Sequence, residues 1–202
     1  MMNVDIEKAV IRSQHCQRNF DLEKEIPEKD LKTLVHASSQ CPSKQNISFY
    51  NLHFITNRVV IDEIYKHTDG FLLNGEVEKN TQVLANLLVA YTKNFKSEGW
   101  YMNKQIPQNE THQTQIRDVH MSTGISSGYL NLTASMLGYS TGCCLCFDEE
   151  RVRSILDVDE EVLLLMGIGF KNSNKNRRVH ALDETKMFHT FKKEEISVNY
   201  IR

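Results

Sequence analysis

Residues 41–50 carry the densest set of side chains that could bind a ligand. A hydroxyl, an ammonium and two amides stand at consecutive positions, Ser43, Lys44, Gln45 and Asn46. Such groups donate and accept hydrogen bonds, so the segment could hold a polar ligand. The alternative is a helix-to-strand connection in which Ser and Asn side chains bind local backbone groups.

Cysteine chemistry is a second possibility, because Cys143, Cys144 and Cys146 lie close together. Cys143 and Cys146 have the spacing of a redox pair or of half a zinc site. A zinc site needs two further ligands, and Cys16 and Cys41 lie far upstream without paired spacing. The odd total of five cysteines also argues against a disulfide framework, so we expect reduced thiols. Small residues lining a buried turn are the preferred interpretation, and no metal site is predicted.

Common arrangements of catalytic side chains are missing from the sequence. It has no Ser-His-Asp order, no paired carboxylates, no phosphate-binding Gly-rich loop and no Rossmann glycine pattern. The eight His residues are scattered, and His53, on an apolar strand, is more typical of a hydrogen-bonded core residue than of a base. We predict no catalytic side chain, which agrees with an enzyme whose chemistry belongs to its cofactor.

Length and composition predict one α+β domain. With 202 residues, 40% of them hydrophobic, the chain can bury a core of its own. The net charge of −2, with both signs mixed, indicates neither a nucleic-acid surface nor a disordered acidic tail. Residues 1–12 lack the apolar core of a signal peptide, and no apolar run approaches the ~20 residues of a membrane helix. We therefore expect a cytoplasmic protein that acts without nucleic acid or membrane.

Hydrophobic periodicity and capping residues predict the elements that position these side chains. The predicted helices cover residues 4–13, a segment after Pro27, and residues 59–67, 118–137 and 149–156, the last capped by Asp148. The predicted strands cover residues 52–55, 83–91 and 162–168, the second of them buried on both faces. Gly70 is predicted as the C-cap of the third helix. Gly124 and Gly128 predict close approach of another helix or backbone, in the core or at a subunit contact.

Residues 92–115 form a polar segment without periodicity, and the only Trp of the chain, Trp100, lies in it. A long irregular segment in a compact domain is usually functional or mobile. One interpretation is a lid over a flat ligand, with Trp100 or Tyr101 stacking on it. The other is a surface excursion in which Trp100 covers part of the core.

The C-terminal segment alternates apolar and polar residues after a charged stretch. Ile196, Val198 and Tyr200 recur at every second position, which predicts a half-buried strand. No hairpin partner lies beside it in the sequence. The strand must therefore pair with its own sheet or with that of another subunit.

Four segments spread along the chain share their order and spacing with a known family. Residues 14–20 read Gln-His-Cys-Gln-Arg-Asn-Phe, and residues 41–50 contain Pro42, Ser43 and Asn46. Residues 137–148 run from a Leu-Gly turn through small residues to Phe-Asp, and residues 169–177 join a Gly-Phe strand end to Lys-Asn-Arg. Together they resemble the flavin-binding nitroreductase family over nearly the whole chain. The chain differs at Gln14, where the family usually has a cation, and at Cys16, where it has Ser.

The resemblance implies an α+β nitroreductase-like fold with a central, mostly antiparallel sheet surrounded by helices. It also implies a homodimer in which the C-terminal strand is exchanged. Residues 1–202 would form a single domain, with residues 92–115 as a lid or insert and residues 183–202 as the dimer-embracing arm. The implied cofactor is FMN, with NADH or NADPH as reductant. The implied reaction is ping-pong hydride transfer to an electron-poor small molecule such as a nitroaromatic or a quinone.

The same resemblance assigns positions around the flavin. Arg18 would lie beside the pyrimidine end of the ring, where a cation stabilises the reduced anion. Basic residues from both ends of the chain would form a phosphate cradle, and the loop at 42–46 would reach the ring from the other subunit. The backbone at Cys144 and Leu145 would approach the flavin N5. The implied cofactor-binding residues are Gln14, His15, Cys16, Arg18, Pro42, Ser43, Lys44, Asn46, Asn80, Cys144, Leu145, Lys175 and Arg177.

Three other functions stay open at this point. Relatives with the same fold carry out reductive dehalogenation or flavin cleavage. A flavin-binding dimer without turnover is suggested by the missing cation at Gln14. A structural dimer without a cofactor is the third alternative.

Overall fold

A computed structural model describes residues 6–70, 72–73, 75–94 and 108–201. The α-helices within this part of the chain are α1 Ile6–Ser13, α2 Glu28–Ser39, α3 Arg58–Lys66, α4 Gln108–Met136 and α5 Glu149–Leu156. The strands are β1 Tyr50–Ile55, β2 Leu72–Leu73, β3 Glu76–Val77, β4 Leu87–Lys93, β5 Ser140–Cys144 and β6 Val162–Gly169. Two 3₁₀ turns cover Lys44–Asn46 and Thr81–Val83.

The main sheet has the strand order β1-β4-β6-β5, and every neighbouring pair is antiparallel. Val89 of β4 lies between Phe54 of β1 and Met166 of β6, which shows the register across the sheet. The two central strands are covered on both faces, as their continuous apolar sequences predict. Strands β2 and β3 form a separate short hairpin.

Helices cover both faces of this sheet. Leu34 of α2 and Leu130 of α4 pack against one face, on residues such as Val89. Ile64 of α3 and Val152 of α5 pack against the other face. The predicted α+β fold, with an antiparallel sheet surrounded by helices, is confirmed. Among the described residues, no helix combines the length and apolar character needed to cross a membrane.

Local capping explains several helix ends. The Asp148 carboxylate accepts a hydrogen bond from the Arg151 N–H at 3.1 Å, so the predicted N-cap of α5 is confirmed. Helix α4 ends before Gly138, whose φ of 99° is a conformation that glycine adopts easily. The Tyr139 N–H then donates back to the Ala134 carbonyl at 2.9 Å, and this closes the turn into β5.

Several predicted boundaries are wrong. Strand β4 begins at Leu87 because the residues before it form a 3₁₀ turn, and α4 begins at Gln108, within the segment expected to be irregular.

Residues 95–107, with Trp100 and Tyr101, lie outside the described residues. Strand β5 was not predicted, and the alternating segment near Val198 forms no strand in the single chain.

The glycine predictions also change. Helix α3 ends at Lys66, and Gly70 lies beyond its cap, where a Cβ atom would collide with the Glu78 carbonyl oxygen. Gly70 therefore permits close backbone approach and does not cap the helix. Among the described residues, no atom outside the helix lies within 4 Å of a Cβ atom built at Gly124 or Gly128, so the close approach predicted there is not made by the described part of the single chain.

Candidate functional site

Two glycines in the sheet let the Thr81–Val83 turn lie directly on it. Gly142 of β5 and Gly167 of β6 are cross-strand partners. A Cβ atom at Gly142 would lie 2.7 Å from the Gln82 Cβ, and one at Gly167 would collide with the Gln82 carbonyl oxygen. The Gln82 side-chain amide also donates to the Cys143 carbonyl. This contact fixes the turn at the end of β5, and Asn80 with it.

Asn80 joins a buried thiol to a guanidinium. Its side chain is 4% exposed, and its Nδ2 donates to the Cys144 Sγ at 3.0 Å. Its Oδ1 accepts a hydrogen bond from Arg18. The Asn80 N–H donates to the Thr68 hydroxyl at 2.8 Å, so the backbone of Asn80 is held as well. Three residues distant in sequence therefore form one hydrogen-bonded chain.

Backbone contacts bring the early and late segments of the resemblance together. The Gln17 N–H donates to the Thr141 carbonyl at 2.8 Å, and the Arg18 N–H donates to the Arg177 carbonyl at 2.9 Å. The Arg177 guanidinium in turn donates to the Cys16 carbonyl at 3.1 Å. Two cationic side chains from opposite ends of the sequence are thus held near each other.

Burial lowers the pKa of Arg18 from its ordinary value, and the neighbouring charge of Arg177 lowers it further. The thiols of Cys16, Cys144 and Cys146 act in the opposite direction. The Arg18 Cζ lies 4.5 Å from the centroid of the Phe188 ring. An anionic ligand would relieve the repulsion between the two guanidinium groups and accept their hydrogen bonds, so this donor set fits a phosphorylated, anion-stabilising cofactor.

The three clustered cysteines differ in environment. Cys144 is buried, and burial raises the pKa of its thiol to about 11, so the thiol is protonated at neutral pH. Cys143 and Cys146 are exposed. Within the described ranges, no group of three or more His, Cys, Asp or Glu residues could hold a metal ion.

A sequence model of the nitroreductase family matches residues 11–170. The chain belongs to the nitroreductase family. Solved structures share its fold at low identity. A candidate nitroreductase from Exiguobacterium sibiricum in complex with FMN has a TM-score of 0.65 and 15% identity, over 87% of this chain and 92% of that one. A candidate NAD(P)H:FMN oxidoreductase from Staphylococcus epidermidis has a TM-score of 0.64 and 17% identity, over 92% and 96% of the two chains.

An enone reductase of gut-bacterial fatty acid saturation, CLA-ER, has a TM-score of 0.67 and 15% identity, over 95% of each chain. No curated protein sequence matches significantly. These structural likenesses establish the fold alone, because identities below 20% do not carry a substrate from one protein to another.

Other predicted positions of this nitroreductase-family chain lie in different surroundings. The Lys175 Nζ pairs with Glu184 at 2.7 Å, and Lys175 lines a cavity of about 470 Å³ with Asn19 and Arg58. Gln14 and His15 are exposed. Leu145 is also exposed, which leaves its backbone near the surface next to Cys144.

The loop at 41–50 packs against α2, β1 and α4. Ser43 and Asn46 line a groove of about 700 Å³ together with side chains of α2 and β1. The Lys44 Nζ pairs with Asp118 of α4 at 2.5 Å. Pro42 is exposed. The structure thus groups the predicted residues into two sets, one around Arg18 and one on this loop.

The sequence predictions did not include Phe188, Gln82 or the glycine pair. Gly142 and Gly167 could have been found, because glycines inside strand patterns often mark close backbone approach. No sequence pattern marks Phe188, because its contact is with Arg18 at the other end of the chain.

Proposed function

We propose that this chain binds FMN and works as an NAD(P)H-dependent oxidoreductase. The observation that carries the proposal is the convergence of Arg18, Asn80 and Arg177 from three separate segments. The FMN complex of the Exiguobacterium protein and the NAD(P)H:FMN activity given for the Staphylococcus protein support it by analogy.

Each group in the site would have a distinct task. Arg177, whose guanidinium donates to the Cys16 carbonyl, would hold the phosphate, and His15 and Lys175 would have to turn toward it. Arg18, oriented by Asn80, would face the pyrimidine end of the ring and stabilise negative charge there. Bound FMN would supply hydride transfer, first from NADH or NADPH and then to an acceptor. The proposed hydride transfer needs no side chain to act as a base at the ring. The Cys144 thiol, which stays protonated at neutral pH, is therefore not assigned that role.

The acceptor class we propose is an electron-poor organic molecule, such as a nitroaromatic or a quinone. Reductant and acceptor would use the same pocket in turn, which gives ping-pong kinetics. All five cysteines are free, which supports a reducing compartment such as the cytoplasm.

We further propose a homodimer in which the loop carrying Pro42, Ser43, Lys44 and Asn46 completes the site of the partner subunit. Strand β1 is an edge of the main sheet among the described strands, and the 700 Å³ groove runs beside it. Ile196 and Val198 on the arm are 74% and 68% exposed in the single chain. The arm of a second copy could pair with β1 and cover this groove.

The test is reconstitution with FMN followed by anaerobic addition of NADH or NADPH. We expect flavin absorbance that is bleached by the reductant. Arg18→Ala should weaken FMN binding about 10- to 100-fold, because a charge-assisted hydrogen bond is lost. Arg151→Ala, on the exposed surface of α5, is the matched control and should bind FMN normally. Unchanged affinity in Arg18→Ala would contradict the proposed site.

A flavin-binding protein without turnover is the second candidate. It is favoured by Gln14, which supplies no cation, and by the pairing of Lys175 with Glu184. Flavin that binds stably and is reduced by neither nucleotide would select this function.

A further inference from the structure

Residues 179–188, which follow Arg177 and Arg178, fold into a small hairpin. Val179 and Met187 form an antiparallel bridge, the His180 N–H donates to the Lys186 carbonyl at 2.9 Å, and the Phe188 N–H donates to the Arg178 carbonyl at 2.9 Å. The Asp183 carboxylate closes the tip by accepting hydrogen bonds from Thr185. We call residues 179–188 the Phe188 hairpin.

Phe188 is the buried end of this hairpin, with 1% of its surface exposed. Its ring stacks on His180 with centroids 5.6 Å apart and carries the Arg18 guanidinium 4.5 Å from its centroid. A guanidinium over an aromatic face is attracted by the ring quadrupole, most strongly where water is excluded. The ring therefore restricts the plane and position of Arg18.

An ion pair ties the hairpin to the segment that carries Asn80. The Lys186 Nζ donates to the Glu78 carboxylate, and the His180 Nε2 lies 3.8 Å from the same carboxylate. Glu78 is only two residues from Asn80, which accepts the Arg18 hydrogen bond. The Asn80 amide and the Phe188 ring, which both contact the Arg18 guanidinium, are thus fixed relative to each other.

We propose that Phe188 is a positioning residue that holds the Arg18 guanidinium ready for the pyrimidine end of the flavin. This inference rests on the proposed function, since it assigns Arg18 to the cofactor. The free Arg side chain has many rotamers, and restricting them before the cofactor arrives reduces the entropy lost on binding. Phe188 acts through Arg18 and is not expected to contact the reacting atoms.

The test is a double-mutant cycle in the full chain, with Phe188→Leu, Arg18→Ala and the double variant, and with Phe188→Tyr as the conservative replacement. The melting temperature of the FMN-free protein, the FMN dissociation constant and the midpoint potential of bound FMN are measured for each. In the protein that keeps Arg18, Phe188→Leu should weaken FMN binding about fivefold and lower the midpoint potential of bound FMN. Phe188→Tyr keeps the ring face and should remain within about twofold of the unmodified protein.

The cycle separates positioning from packing. If Phe188 acts through Arg18, Phe188→Leu should have little further effect on FMN affinity in the Arg18→Ala background, and the two substitutions should couple in the FMN-free melting temperature. Equal losses in both backgrounds, or a Tyr variant as impaired as the Leu variant, would overturn the proposal. If the unmodified protein binds no FMN, the proposed function fails, while coupling in the FMN-free protein still reports the Arg18–Phe188 contact.

Discussion

Cys144 lies beside the candidate cofactor site, yet its surroundings keep the thiol protonated. Burial raises its pKa to about 11, and the Asn80 amide donates to the sulfur at 3.0 Å. Cys16 and Cys146 are exposed by contrast, whereas desolvation raises the pKa of Cys143 to about 12 although part of its surface is exposed. Cys144 is therefore a structural residue whose sulfur accepts a hydrogen bond from Asn80. This bond orients the Asn80 side chain, which in turn accepts a hydrogen bond from Arg18.

We expect Cys144→Ala to reduce the dependence of the unfolding free energy on pH. The thiol has a higher pKa in the folded protein than in the unfolded chain, so its stabilisation is complete below about pH 9 and is lost as the pH rises toward 11. At pH 10.5 the loss is about 2 kcal/mol. Urea unfolding of both proteins at pH 8 and pH 10.5 measures it.

Two comparisons make this measurement specific. Desolvation also raises the pKa of Cys143, Tyr91 and Tyr139, but these contributions are common to both proteins and cancel in the difference. The exposed Cys146→Ala variant is the matched control and should behave like the unmodified protein. An equal fall in stability for the unmodified protein and Cys144→Ala would contradict the assignment.

The order of four family-like segments in the sequence predicted several of the residues that the structure brings together at this candidate site. Arg18 and Cys144 belong to two of these, and Asn80 follows from the same resemblance. Phe188 could not be located, because cation–π contact depends on how two distant segments fold together. The contact of His180 with Glu78 could not be predicted for the same reason, because Glu78 lies about a hundred residues upstream.

Strand β5 shows at the element scale why sequence patterns missed part of the sheet. Its residues, Ser-Thr-Gly-Cys-Cys, have no strong apolar alternation. The strand forms because β6 supplies its hydrogen-bonding partner and because Gly142 makes room for Gln82. The strongly apolar β4 and β6 were predictable, since burial on both faces leaves a continuous hydrophobic run.

Gly167→Ala should displace the Thr81–Val83 turn, because its Cβ atom would collide with the Gln82 carbonyl oxygen. We expect a loss of about 1–3 kcal/mol in unfolding free energy. FMN affinity should fall as well, since the turn carries Asn80. Urea unfolding and flavin fluorescence titration measure the two effects.

Gly124→Ala is the matched substitution for this element. Its Cβ atom would meet no other described part of the chain within 4 Å, and alanine favours a helix by up to about 1 kcal/mol over glycine. Its stability should stay the same or rise. A Gly167→Ala protein as stable as Gly124→Ala would show that the turn does not require the glycine pair.

At the scale of the whole molecule, the two sets of predicted residues make sense as halves of a site shared by two subunits. In the proposed dimer, the group of Arg18, Asn80 and Arg177 would form one half, and the loop carrying Ser43 and Asn46 would form the other. Large apolar side chains remain exposed on the arm, among them Phe191 at 82% and Tyr200 at 85%. Exposed apolar groups of this size indicate a surface that another protein covers.

Removal of residues 191–202 should therefore convert a dimer into a monomer and weaken FMN binding together with it. Val198→Asp should have the same effect, because its side chain lies on the apolar side of the alternating segment, whereas Asn199→Asp on the other side should leave the dimer intact. Light scattering gives the mass, and fluorescence titration gives the affinity.

Dimerisation that survives both the truncation and Val198→Asp would exclude strand exchange. A monomer that still binds FMN normally would show that the loop at 42–46 does not complete the partner's site, since the two halves can meet only when the subunits do.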